Sequence, residues 1–114
     1  MNKKETNISI TANEQLAGII AMAVVNEAET LLHEVPKITK DKLVVKQTVT
    51  DDKVVFTVKG ELGNRLNNPD ITFMFDDNLT KSDLIPETEL NDMIYKNYVT
   101  LSLLRYTTNT TNTK

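Results

Sequence analysis

From Leu16 to Val25 the chain carries no polar side chain, and on either side of that run the spacing of apolar residues changes period. Residues 1–10 are mostly polar and read as a flexible N-terminus. Thr11-Ala12-Asn13-Glu14 has capping-box spacing, with Thr11 as N-cap and Glu14 three residues on; Asn13 is the alternative cap. A helix is predicted from there to about Glu34, with Pro36 as its stop, because the residue before a proline avoids the helical region. A surface helix shows one apolar stripe, whereas Ile19, Ile20, Met22, Ala23 and Val24 point all round the axis at about 100° per residue. One sheet covers about half of that circumference, so a second copy of the chain is expected to cover the rest. After Asn26 the pattern becomes amphipathic, with Ala28, Leu31, Leu32 and Val35 inward and Glu27, Glu29 and Glu34 outward.

Beyond the polar connection 37–41 the period shortens to two. Leu43 to Val49 is rich in β-branched residues and reads as a strand, Asp51-Asp52 as a hairpin turn, and Val54 to Val58 as a second strand. Lys59-Gly60 and Gly63-Asn64 punctuate a loop that ends in the turn residues Asn67-Asn68-Pro69-Asp70, before a third strand over Ile71 to Phe75. An acidic loop then leads to Pro86, which suits the first turn of a helix, and Glu87 and Glu89 favour its positive end. Leu90, Met93, Ile94, Leu101 and Leu104 fall on one face at helical spacing, which predicts a second helix from about Glu87 to Tyr106. Tyr98 to Leu103 also alternates like a strand, which leaves 98–106 open between the two. Residues 107–114 are low-complexity Thr and Asn and read as a disordered tail. The expected fold class is α+β: a helix, a three-stranded antiparallel sheet and a helix (αβββα), forming one domain over 11–106.

Composition narrows the function more than it names it. Aromatics make up 5% of the chain and Trp is absent, so the core is built from aliphatic residues. There is no Cys, which removes disulfides, thiolate metal sites and a Cys nucleophile, and fits a reducing, cytoplasmic setting. The apolar run is shorter than the roughly 20 residues that span a bilayer, and no membrane association is expected. His33 is the single histidine, at a helix end where the dipole alone favours it, and no zinc ligand set can be assembled around it. Asp76, Asp77, Asn78 and Asp83 are dense in oxygen but lack the central Gly of a calcium loop. No phosphate-binding glycine loop and no nucleophile–base pattern occurs. No catalytic residue, metal, cofactor or small-molecule substrate is indicated, and an enzyme is not expected.

What remains is an interaction module: an adaptor, an inhibitor or an accessory protein of a phage or other mobile element, acting as a homo-oligomer on a protein partner. Ala17, Gly18, Ile20, Ala21 and Val24 are the expected oligomer interface, the small residues letting two backbones approach. Net charge is −3, which does not favour nucleic acid, but it is unevenly spread. Lysines dominate from Lys37 to Lys59, and acids dominate from Glu61 to Asp92.

The element order and two strand patterns resemble the YbaB/EbfC family of nucleoid-associated proteins. Val54-Val-Phe-Thr-Val-Lys-Gly60 is similar to that family's second strand with its Gly turn. Ile71-Thr-Phe-Met-Phe-Asp-Asp-Asn-Leu79 is similar to its third, followed by an acidic connection and a helix with Asn97 near its middle. The chain departs from the family in its apolar first helix, in Asp77 where the family carries Pro, and in the longer 62–70 loop. The resemblance implies a homodimer that binds DNA, with Lys40, Lys42, Lys46 and Lys53 as the contacts.

Overall fold

The computed structural model describes residues 12–112, with side chains described through residue 104. Helix α1 spans Ala12–Leu32. A 3-10 turn at Lys40–Lys42 leads into strand β1, Val44–Val49, which is followed by β2, Lys53–Lys59. A short helix α2, Gly60–Arg65, precedes β3, Asp70–Met74. A second 3-10 turn at Lys81–Asp83 leads to the long helix α3, Glu87–Asn112. The order is thus helix, three strands, helix, as the periodicities predict. The sheet is antiparallel in the order β1-β2-β3.

The hairpin between β1 and β2 turns at Asp51-Asp52, closed by the Thr50 N–H on the Lys53 carbonyl at 2.9 Å. Alternation places Val45, Val54, Phe56 and Val58 in the core and Lys46, Thr48, Lys53 and Thr57 on the opposite face. Both helices lie on the inner face. Leu16, Ala17, Ile20, Ala21, Val24, Val25 and Ala28 of α1 meet Leu90, Ile94 and Tyr98 of α3 in one continuous core with the sheet. Phe56 and Phe73 pack edge to face, centroids 5.7 Å apart.

The second helix is found where the alternating stretch left it open, and the sequence-based reading differs from the structure in three other places. Residues 98–106 are helical, as the expected helix from Glu87 to Tyr106 has them, because Leu90, Ile94 and Tyr98 recur every fourth residue and all three are buried, which fixes the helical period before the alternating stretch begins. The 60–70 connection is no plain loop. Gly60, at φ +78°, turns the chain out of β2, and the helix α2 then buries Leu62 and Gly63. Helix α3 continues to Asn112, six residues beyond the expected end and into the segment read as a disordered tail. No Gly or Pro stands between Pro86 and that point to stop it. Residues 1–10 and the expected cap Thr11 lie outside the described residues.

The third difference concerns the expected oligomer interface. Ala17, Ile20, Ala21 and Val24 are buried inside the chain's own core, because α3 covers the side of α1 that the sheet leaves open. They are unavailable to a second copy, and of the five expected residues only Gly18 reaches the outward side. α1 is long and apolar enough to cross a membrane by length and composition, but here its apolar face is spent on the sheet and α3.

Candidate interaction surface

The outward side of α1 still carries large apolar side chains. Ile19 is 52% exposed and Met22 41%, with Gly18 and Ala23 half-buried between them. Facing them from α3 are Asn97 and Leu101, and together these residues line an open groove of about 710 Å³. The Asn97 side chain is held by donating to the Met93 carbonyl at 2.8 Å. Further along α3, Leu103 and Leu104 are both more than half exposed. Large apolar side chains left exposed beside an apolar groove mark an interaction site more often than scattered ones do.

The expected DNA contacts separate into two groups. Lys46 on β1 and Lys53 on β2 stand on the outer face of the sheet, joined there by Lys59. On that face Asp70 is the one described acid, and its carboxylate accepts from the Thr57 hydroxyl at 2.7 Å. Lys40 and Lys42 sit instead on the 3-10 turn. Lys40 is ion-paired with Asp92 of α3. Between them Asp41 is held below the usual carboxylate range, first by the Thr39 hydroxyl that bonds it at 2.5 Å, then by its own backbone and by Lys42. That turn is therefore close to neutral, while the outer sheet face is basic. Sequence reasoning missed Lys59 as part of this set. The register Val44↔Lys59 puts it beside β1, and the even spacing 53, 55, 57, 59 was the available signal.

The acidic loop is occupied by its own backbone. The Asp76 carboxylate accepts from the N–H groups of Asn78 and Leu79, at 2.8 and 3.1 Å. Asp83 caps the second 3-10 turn through the Thr80 N–H at 2.8 Å. Among the described residues no group of three or more His, Cys, Asp or Glu side chains is arranged to hold a metal. His33 lies at the end of α1 with φ 61°, its N–H on the Glu29 carbonyl at 3.0 Å: it is the left-handed residue that terminates the helix.

Compared with known proteins, the chain matches no family model, no curated relative and no solved structure.

Proposed function

We propose that the protein is a small, non-enzymatic, cytoplasmic interaction module that works as a homo-oligomer and presents its assembled surface to a protein partner. The observation that carries this reading is the apolar groove between α1 and α3, with Ile19 more than half exposed at its rim. Leaving a Leu-sized side chain exposed forfeits up to about 1.5–3 kcal/mol, a cost that a covering partner recovers. The test is light scattering of the full chain and of Ile19→Asp. The variant should fold as the wild type does, since Ile19 is outside the core, and should weaken self-association at least about tenfold. An unchanged assembly would remove the groove from the interface.

A second reading is favoured by one observation, the lysines on the outer sheet face. In it the protein resembles the YbaB/EbfC proteins and contacts DNA phosphates through Lys46, Lys53 and Lys59. Its signature is binding indifferent to sequence that weakens steeply with salt. No shift of duplex DNA at low salt would remove it.

A further inference from the structure

The two edges of the sheet are treated differently. On β1 the outward backbone groups of Val45 and the Gln47 N–H are already taken. The Asn91 side chain accepts from the Val45 N–H at 2.7 Å and donates to the Val45 carbonyl at 2.9 Å, as a neighbouring strand would. Glu87 accepts from the Gln47 N–H at 2.7 Å. Helix α3 thus covers that edge along Val45 and Gln47. On β3 the bonds to β2 run through the odd-numbered residues: the Phe75 N–H donates to Asp52 and the Pro69 carbonyl accepts from Val58, both at 2.9 Å. The N–H and C=O groups of Asp70, Thr72 and Met74 therefore point away from the sheet, and among the described residues nothing bonds them. An open edge of this kind is a template for another strand, and proteins that do not use one blunt it with charge, proline or a covering segment. This edge carries one charge, Asp70, beside Thr72 and a Met74 that is 56% exposed.

We infer that the β3 edge pairs with β3 of a second copy, antiparallel about a twofold axis at Thr72, to make one six-stranded sheet. This rests on the self-association proposed above and says where the copies meet. The strand suits itself. In the full-length antiparallel register Thr72 faces its own twin, and Asp70 faces Met74 of the other copy, so the one charge on the strand never meets its like. The same row continues from Met74 to Lys53 on β2, which brings a lysine of one copy towards Asp70 of the other. On the inner face the pairing sets Ile71 beside Phe73 of the other copy, and both are only half-buried in the single chain. Beside that edge Gln15, Leu16, Ile19, Phe73 and Met74 line a cleft of about 170 Å³, where an added strand would lay its inward side chains. Ile19 belongs to this cleft and to the α1–α3 groove alike, so edge and groove form one surface. In the other direction the pairing joins the lysine-bearing outer faces of two sheets into one.

Because the chain has no cysteine, a single Thr72→Cys substitution reports on the axis directly. Residues opposed in a hydrogen-bonded antiparallel pair lie about 5.5 Å apart between Cα atoms, within the range a disulfide spans. Mild oxidation should convert most Thr72→Cys chains to a covalent dimer. Met74→Cys, about 14 Å from its twin in this register, and Thr48→Cys, on the strand at the far side of the sheet, should not cross-link. Thr72→Pro deletes an N–H that faces away from the sheet, which an edge strand tolerates, and should give a folded monomer. A wild-type dimer in which Thr72→Cys does not cross-link and Thr72→Pro still pairs would overturn the edge and leave self-association through the groove standing. A wild-type monomer at high micromolar concentration would overturn both. A monomer whose Thr72 amide is nonetheless protected from hydrogen exchange would put another segment of the same chain on the edge, and so overturn it too.

Discussion

His33 occupies a left-handed conformation that its Cβ makes costly, and it does so to end α1. Replacing it with glycine should stabilise the fold by about 0.5–1 kcal/mol, read as a raised urea midpoint, since left-handed backbone costs a residue with a Cβ about 1–2 kcal/mol. Tyr98 is a different case. Its ring is buried against α1 and its hydroxyl donates to the Pro36 carbonyl, anchoring the segment that leaves α1. Burial, and then the neighbouring Tyr95, push its phenol up to about 12 from an ordinary 10.0. A raised phenol stays protonated in the folded chain while the unfolded chain ionises. Stability should thus hold below pH 10 and fall as pH rises towards about 12. Tyr98→Phe should lose about 1–3 kcal/mol at neutral pH, because the Pro36 carbonyl loses its donor, and should flatten that alkaline decline in denaturation curves.

Two glycines show how differently the elements are built. A Cβ on Gly63 would stand 2.1 Å from the Val58 carbonyl oxygen, so α2 packs onto the end of β2 at a distance no side chain allows. Gly63→Ala should cost about 3 kcal/mol or more in chemical denaturation. A Cβ on Gly18 would meet only the Asn97 side chain, at 3.8 Å, an ordinary contact. Gly18→Ala should therefore stabilise α1 by about 0.5–1 kcal/mol. The elements themselves were legible in the sequence wherever period and punctuation agreed: Pro36 and Pro86 bracket the sheet, and Asp51-Asp52 marks its first turn. Helix α2 was hidden because Gly60 and Gly63 read as loop residues, although one supplies a turn and the other a close approach. The surface was half legible. The apolar run from Leu16 to Val25 identifies the helix that carries it but not which face stays outside. That depends on where α3 lies, which is set by packing between residues far apart in the chain. Hence Ile20→Asp should unfold the single chain, whereas Ile19→Asp should leave it folded and weaken its assembly.

At the scale of the whole molecule the charges sort by side. Lysines stand on the outer sheet face, while on α3 Glu87 is bonded at the β1 edge and Asp92 is paired with Lys40. If that face meets DNA, changing Lys46, Lys53 and Lys59 to Gln should lower the slope of log affinity against log salt by about one for each phosphate no longer neutralised. If its partner is a protein, changing Lys46 and Lys59 alone, away from the β3 edge, should leave the association of copies unchanged. The groove and the open edge of one chain are expected to be covered by another copy. This is tested most directly by the mass of the wild-type protein in solution, measured by light scattering across a dilution series into the high micromolar range. A mass of twice the 12.9 kDa chain, falling towards the single chain on dilution, is the predicted result. A mass of 12.9 kDa at every concentration would contradict it.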